Sequence, residues 1–174
     1  MEEKTSARRP AEVARDDFDR ALGAMVREAA FMDMLMISLC QHLVASPHGS
    51  LLVHGEPTSR VQSMIKKLLD ARKEIAPEHK NALRLIVEES GPLFNKRNEY
   101  VHGAAIFGES GELTLLRTRR LNAEIIRTPA TITELQKLGD DLAALSLRMG
   151  DAFASFLIDD LGLPNEPFTE DDDA

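Results

Sequence analysis

The stretch NKRNEYVHG, residues 95–103, lies near the middle of the 174-residue chain, and the rest of the sequence is arranged around it. The positions that lead into it recur every three or four residues, which is the spacing of one face of a helix. They are Leu83, Ile86, Val87, Ser90, Phe94 and Val101. Position 97 belongs to the same stripe but carries an arginine. Because a guanidinium is costly to desolvate without a partner, an arginine there needs a specific role.

Three polar side chains are expected together at the end of this helix. Asn98 and His102 are four residues apart, so they lie on one face. Arg97 lies roughly 140° around the helix from His102, and its long side chain reaches the same edge. Tyr100 faces away from Asn98 and His102 and is expected to pack. The stretch therefore combines a fixed positive charge, an amide and an imidazole.

The run Arg97-Asn98-Glu99-Tyr100-Val101-His102 resembles the signature of the HEPN superfamily. That signature is an arginine followed directly by a polar residue, here Asn98, with a histidine after a short spacer. The resemblance is specific over this motif and loose over the remaining helices. It implies a small α-helical bundle. In many members it also implies a metal-independent ribonuclease whose two copies of the motif line one cleft of a dimer, whereas other members serve in binding or assembly.

The composition is typical of a single soluble helical domain. The chain is long enough to bury a core, and its few aromatic residues and absent tryptophan suit helix packing. The single Cys40 excludes an intramolecular disulfide and a cysteine-based zinc site, and we expect it to be an inert buried thiol. No apolar run approaches the roughly 20 residues that cross a bilayer. The N-terminus lacks the apolar region of a signal peptide, so we expect a cytoplasmic protein without membrane contact.

The net charge of −8 is unevenly distributed. Residues 164–174 contain five acids and no base; the acids are Glu166, Glu170, Asp171, Asp172 and Asp173. Without these five charges, the rest of the chain carries −3. A weakly acidic body argues against nucleic-acid binding through overall charge. Any contact with RNA must therefore be local.

The first half of the sequence predicts two long helices. The first covers about residues 12–45, where apolar positions alternate in steps of three and four, and it fits either a central bundle helix or a dimer helix. His42, near its end, is expected at the edge of the core. The second covers about residues 58–75 and has a basic outer face.

The second half predicts two further helices separated by strands. The third helix starts at Pro77, is expected to kink at Gly91-Pro92, and stops at Gly103. Residues 104–107 and 112–116 flank a turn and predict a β-hairpin, with a third short strand near residues 121–127. The last helix opens at residues 131–134, TITE, which is a capping-box sequence.

We therefore predict an all-α fold, a bundle of about four main helices with a small β-hairpin after the third. The domain is expected to cover residues 12–163, with the hairpin at about 104–127. Residues 1–11 are expected to be a disordered N-terminus, and residues 164–174 an acidic disordered tail.

The motif carries the groups that RNA cleavage without a metal requires. The neighbouring 2′-hydroxyl is the nucleophile, histidine transfers protons near neutral pH, and arginine offers a fork that matches phosphate oxygens. His102 at a helix C-terminus suits a general acid, because the helix dipole favours its protonated form. Asn98 would orient the ring or contact the phosphate. Arg97, Asn98 and His102 are the candidate catalytic residues, and no cofactor or metal is expected.

Four further cations are candidates for RNA binding. Lys96 lies in the motif, and Arg117, Arg119 and Arg120 belong to the hairpin region that leaves directly from His102. A basic edge strand that discourages aggregation explains the three arginines equally well.

Two functions fit these residues. The first is a metal-independent endoribonuclease of HEPN type, a toxin or defence effector that acts on RNA as a homodimer and is restrained by an antitoxin-like protein. The alternative is a non-catalytic helical module for dimerisation or protein binding. In that case Arg97 pairs with a carboxylate of the first helix, such as Glu28 or Asp33, and His102 caps helix carbonyls.

Overall fold

The computed structural model describes residues 9–118 and 124–162. These residues form five helices and a small antiparallel sheet. The elements are α1 (Pro10–Val44), α2 (Gly49–Val53), α3 (Thr58–Ala71), α4 (Pro77–Val101), β1 (Ala104–Phe107), β2 (Leu113–Thr118), β3 (Ile125–Ala130) and α5 (Ile132–Leu161). The predicted bundle of four long helices, with strands after the third of them, is confirmed. The short α2 was not predicted.

Helix α1 lies at the centre of the bundle and packs against α5, α3 and α4. Its buried positions follow the predicted alternation, and Met25, Met32, Met36 and Leu39 are fully buried. The apolar face of α1 is therefore covered by helices of the same chain. Gly139 of α5 lies against the backbone of Met25, where an added Cβ atom would come within 3.5 Å of the Met25 Cα, an ordinary van der Waals contact.

Helix α4 runs antiparallel to α1. Ser90 in the middle of α4 lies 3.7 Å from the sulfur of Met36, and Phe107, which follows α4, packs edge-on against Phe18 near the start of α1. On its other side, Ser90 accepts a 2.8 Å hydrogen bond from Gln62 of α3. The end of α4, with the motif, is thus placed beside the first turns of α3.

Helix α4 continues through Pro92 as one helix. The second predicted helix, in contrast, ends at Ala71 rather than near residue 75. Arg72 leaves the helix with an extended backbone, and its guanidinium binds Glu74 and Asp160 of α5. The chain turns there and brings Ile75 into the core from a loop, where it is 4% exposed. Ile75 fitted the apolar spacing of the predicted helix, but the residue lies outside the helix.

The three strands form a sheet in the order β1-β2-β3. Ala105 pairs with Leu115, and Arg117 pairs with Ile126. The third strand occupies Ile125–Ala130, three residues later than its predicted end at Arg127. Leu113 and Leu115 are buried on the inner face of the sheet.

Helix α1 starts at Pro10, because proline fits the first turn of a helix, so Pro10 and Ala11, which the predicted N-terminal segment included, are helical. The acidic tail and the first eight residues lie outside the described residues. Within the described ranges, no helix combines the length and the apolar character that crossing a membrane requires.

The capping box that opens α5 is confirmed. The hydroxyl of Thr131 accepts a hydrogen bond from the backbone N–H of Glu134 over 3.1 Å, and the carboxylate of Glu134 accepts one from the N–H of Thr131 over 3.0 Å. The box satisfies amides that the first turn leaves without helical partners.

We expect Thr131→Ala to lower the free energy of unfolding by about 1 kcal/mol, because it removes this cap. Urea denaturation followed by circular dichroism measures the change. Thr133→Ala is the matched control, since Thr133 is exposed two residues further on. An equal loss in both variants would show that the cap contributes nothing specific.

Candidate functional site

The candidate site is built by the last two turns of α4 and the way the helix ends. His102 is the C-terminal cap residue, and its backbone N–H donates to the carbonyl of Asn98 over 3.1 Å. Gly103 then turns the chain into β1. A Cβ atom on Gly103 would lie 2.6 Å from the carbonyl oxygen of Glu99, so only glycine allows this close approach.

Arg97 is partly buried on the apolar stripe and has no carboxylate partner among the described residues. Its Nη1 donates to Oδ1 of Asn98 over 2.9 Å, and its Nε is buried without a described hydrogen-bond partner. Glu28 instead pairs with Arg27 at 3.0 Å, and Oδ1 of Asp33 is itself buried without a described partner. Neither of the two carboxylates named as examples in the non-catalytic explanation pairs with Arg97.

Arg97 and Asn98 line a cleft of about 460 Å³ between α4 and the start of α3. Thr58 and Ser59, the first residues of α3, form part of the facing wall. No sequence pattern connects these two residues with the motif. Their helix start is readable from Pro57, but their proximity to Arg97 arises from the packing of α3 against α4.

His102 lies outside that cleft. Its side chain is exposed, and its ring forms no hydrogen bond or ion pair with another described residue. Within one chain the fold therefore brings Arg97 and Asn98 together and leaves His102 on the adjoining surface.

Lys96 and Arg117 meet at a shared carboxylate. The Nζ of Lys96 lies 3.4 Å from one oxygen of Glu99, and Nη2 of Arg117 lies 3.3 Å from the other. The hairpin is thus tied to the motif helix, as expected from its exit at His102. Arg119 and Arg120 lie outside the described residues.

Tyr100 has the packing role expected for it. The side chain is 1% exposed, and its hydroxyl has no hydrogen-bond partner among the described residues. Burial raises the pKa of Tyr100, and the negative charges of Glu134 and Glu99 add to the effect. The phenol therefore stays protonated at neutral pH and is not a general base.

Two other expectations concern residues away from the motif. Cys40 is fully buried, and burial raises the pKa of its thiol to about 11, so it is the inert thiol that was predicted.

His42 lies at the edge of the core: its ring packs edge-on against Phe156, and its Nε2 lies 2.9 Å from Asp160. His79 makes a similar contact with Asp159 at 2.6 Å. These two pairs fasten the end of α5 to α1 and α4.

No group of three or more metal-binding side chains occurs in the part of the chain that the structure describes. No protein-family model, curated protein or solved structure matches this chain. The likeness to the HEPN superfamily therefore depends on the motif and on its position at the end of α4.

We expect Gly103→Ala to destabilise the fold by about 1–3 kcal/mol, because the added methyl group would overlap the Glu99 carbonyl. Gly23→Ala is the control: the added atom meets nothing within 4 Å, and alanine in α1 should stabilise by up to about 1 kcal/mol. Thermal unfolding of both variants measures the difference. A neutral Gly103→Ala would contradict the close approach at the end of α4.

Proposed function

We propose that this protein is a metal-independent endoribonuclease of HEPN type, with Arg97, Asn98 and His102 as its catalytic residues. The observation that carries the proposal is the state of Arg97. It lines an open cleft, is oriented by Asn98, and has no carboxylate partner among the described residues. An arginine held in this way on an apolar stripe is explained by an anionic ligand, and a phosphate fits its planar fork.

Each residue has a distinct part in the proposed cleavage. The 2′-hydroxyl attacks the adjacent phosphorus and gives up its proton to a water molecule, and the bond from phosphorus to the 5′-oxygen breaks. Arg97 stabilises the charge on the phosphate oxygens, while Asn98 fixes the guanidinium. His102 donates a proton to the departing 5′-oxygen. The products are a 2′,3′-cyclic phosphate and a 5′-hydroxyl.

A homodimer belongs to the proposal, because His102 of one chain does not line the cleft that contains its own Arg97. In the HEPN-type arrangement, two copies of the motif face each other and supply complementary groups. Lys96, Arg117, Arg119 and Arg120 are proposed to hold neighbouring RNA phosphates. Glu99 offsets part of the charge of Lys96 and Arg117, so this contribution is smaller than the four cations suggest.

A cytoplasmic toxin or defence effector is the role we propose for such an enzyme. Unrestrained cleavage of RNA harms the cell that makes the enzyme, so an antitoxin-like partner that covers the motif is part of this proposal. The exposed position of His102 leaves the motif accessible to such a partner.

A non-catalytic dimerisation or protein-binding module is the second candidate function. It needs no catalytic cleft, whereas the nuclease requires a second chain, because a single chain does not bring His102 and Arg97 into one cleft. The two functions differ in what happens to RNA, and that difference can be measured directly.

We expect the purified protein to cleave a labelled single-stranded RNA in the presence of EDTA and to leave 2′,3′-cyclic phosphate ends. Arg97→Ala and His102→Ala should each lower the rate at least about 100-fold, since each removes a group that acts in the transition state. End-group analysis and gel electrophoresis measure products and rate.

Arg20→Ala and His48→Ala are the matched controls, because both residues are exposed and neither is close in sequence to the motif or to the cleft residues Pro57–Ser59. All four variants must keep the helical content and oligomeric state of the parent. An inert parent, or motif variants that cleave like the controls, would exclude the nuclease and favour the non-catalytic module.

A further inference from the structure

We infer that the cleft between Arg97 and the first turn of α3 is a phosphate-binding site, in which backbone amides of α3 act together with the guanidinium. The inference adds the first turn of α3 to the proposed site, as the wall that faces Arg97. Its identification with an RNA phosphate rests on the proposed function, whereas the anion site itself does not.

The first argument is the charge of the cleft. None of the nine described residues that line it is acidic, and one of them, Arg97, is a cation. Four other surface clefts each contain two acids with at least one arginine. The acid pairs are Glu78 and Asp151, Glu12 and Glu109, Glu89 and Asp141, and Glu28 and Asp140, and the second of these clefts contains both Arg9 and Arg15. Among these five clefts of a chain with a net charge of −8, the cleft at Arg97 differs because its described lining contains no acid.

The second argument is the group that remains unsatisfied there. The Nε of Arg97 is buried, and no described residue accepts its hydrogen bond. A buried donor without a partner carries a desolvation penalty, which is greater for a charged group. Asn98 occupies one donor of Nη1, so the other donors of the two Nη atoms are left for a ligand. An oxyanion in the cleft would accept hydrogen bonds from these Nη donors, whereas the buried Nε lies beyond its direct reach.

The third argument is the start of α3. Pro57 is its N-terminal cap residue, and no side chain caps the helix. The amides of Arg60 and Val61 donate to the carbonyl of Pro57. Those of Thr58 and Ser59 have no acceptor among the described residues. Free amides at a helix start favour an anion, because they are donors at the positive end of the helix dipole.

The chemistry of the lining selects a phosphate over a carboxylate. Arg97 approaches from α4 and the α3 amides from the facing wall, so the ligand needs acceptor oxygens in several directions. A phosphate group presents them tetrahedrally, and its charge suits both the fork and the helix terminus. Asn95 lies on the rim of the cleft and offers a further amide donor.

The test follows the site by nuclear magnetic resonance during titration with inorganic phosphate. We expect saturable shifts of the backbone amides of Thr58 and Ser59 and of the Nε–Hε signal of Arg97. Arg97→Gln should weaken binding at least about tenfold, because it removes the charged donor. An absence of saturable shifts at these three groups would overturn the inference.

Thr58→Pro tests the contribution of the Thr58 backbone amide to phosphate binding independently of Arg97. Proline lacks the N–H and is tolerated in the first turn, and Pro57 already has the backbone angles (φ −61°, ψ 146°) that a residue before proline adopts. We expect binding of inorganic phosphate to weaken about fivefold. Thr58→Val keeps the amide and loses only the hydroxyl, so it should bind like the parent. Equal binding by the proline variant and the parent would contradict the role of α3.

The second part of the test repeats the titration with a short single-stranded RNA whose ends are unphosphorylated. If it shifts the same three groups and competes with inorganic phosphate, the site accepts a phosphate of the RNA backbone. If only inorganic phosphate binds, the anion site is supported, and the proposed nuclease loses its substrate. If the parent cleaves RNA yet phosphate never reaches Thr58, Ser59 or Arg97, the inference fails while the nuclease stands.

Discussion

The structure depends on the burial of one face of α1 by the other long helices. Met25, Met32 and Met36 are fully buried along this face, and Gly139 of α5 lies against the backbone of Met25. Burial of side chains of this size contributes about 1.5–3 kcal/mol each, so the long apolar seam outweighs any single polar contact. The methionines adapt to the three different neighbours because their side chains are unbranched and flexible. The direction in which α4 runs and the position where it packs on the bundle follow from this packing.

The position of α4 explains the unusual state of Arg97. The apolar stripe of α4 is buried as far as Phe94, and one turn later, at Arg97, it borders the cleft beside the start of α3. An arginine at that point keeps its stem against the bundle while its head reaches the cleft, as long basic side chains commonly do. The same stripe that drives folding therefore delivers a guanidinium to a partly enclosed surface. An apolar residue at position 97 would fit the helix equally well, so the arginine is explained by the cleft and not by the fold.

Much of the architecture could be predicted from the sequence because its signals are local. The spacing of Phe18 to Leu43 predicted α1, the TITE sequence predicted the start of α5, and Gly103 predicted the end of α4. The predicted end of the second helix was wrong, because one apolar residue matched the helical spacing although it is buried from a loop. Ile75 matched the helical spacing but is buried from a turn that Arg72 fastens to Asp160. The facing wall of the cleft could not be predicted. No local pattern in Pro57-Thr58-Ser59 indicates a contact with a residue nearly forty positions later.

The proposed nuclease would be an acidic protein that meets RNA at a cleft whose described lining contains no acid. Proteins that bind nucleic acids through extended basic surfaces lose affinity steeply as salt rises, because each neutralised phosphate releases counterions. Here the body is weakly acidic, and Glu99 already offsets part of the charge of Lys96 and Arg117. In the proposed complex, added salt would screen the long-range repulsion between protein and RNA as well as the short-range attraction at Arg97. Because these two effects oppose each other, the proposed nuclease would discriminate between RNAs by the fit of a phosphate and its neighbouring sugar in the cleft more than by charge.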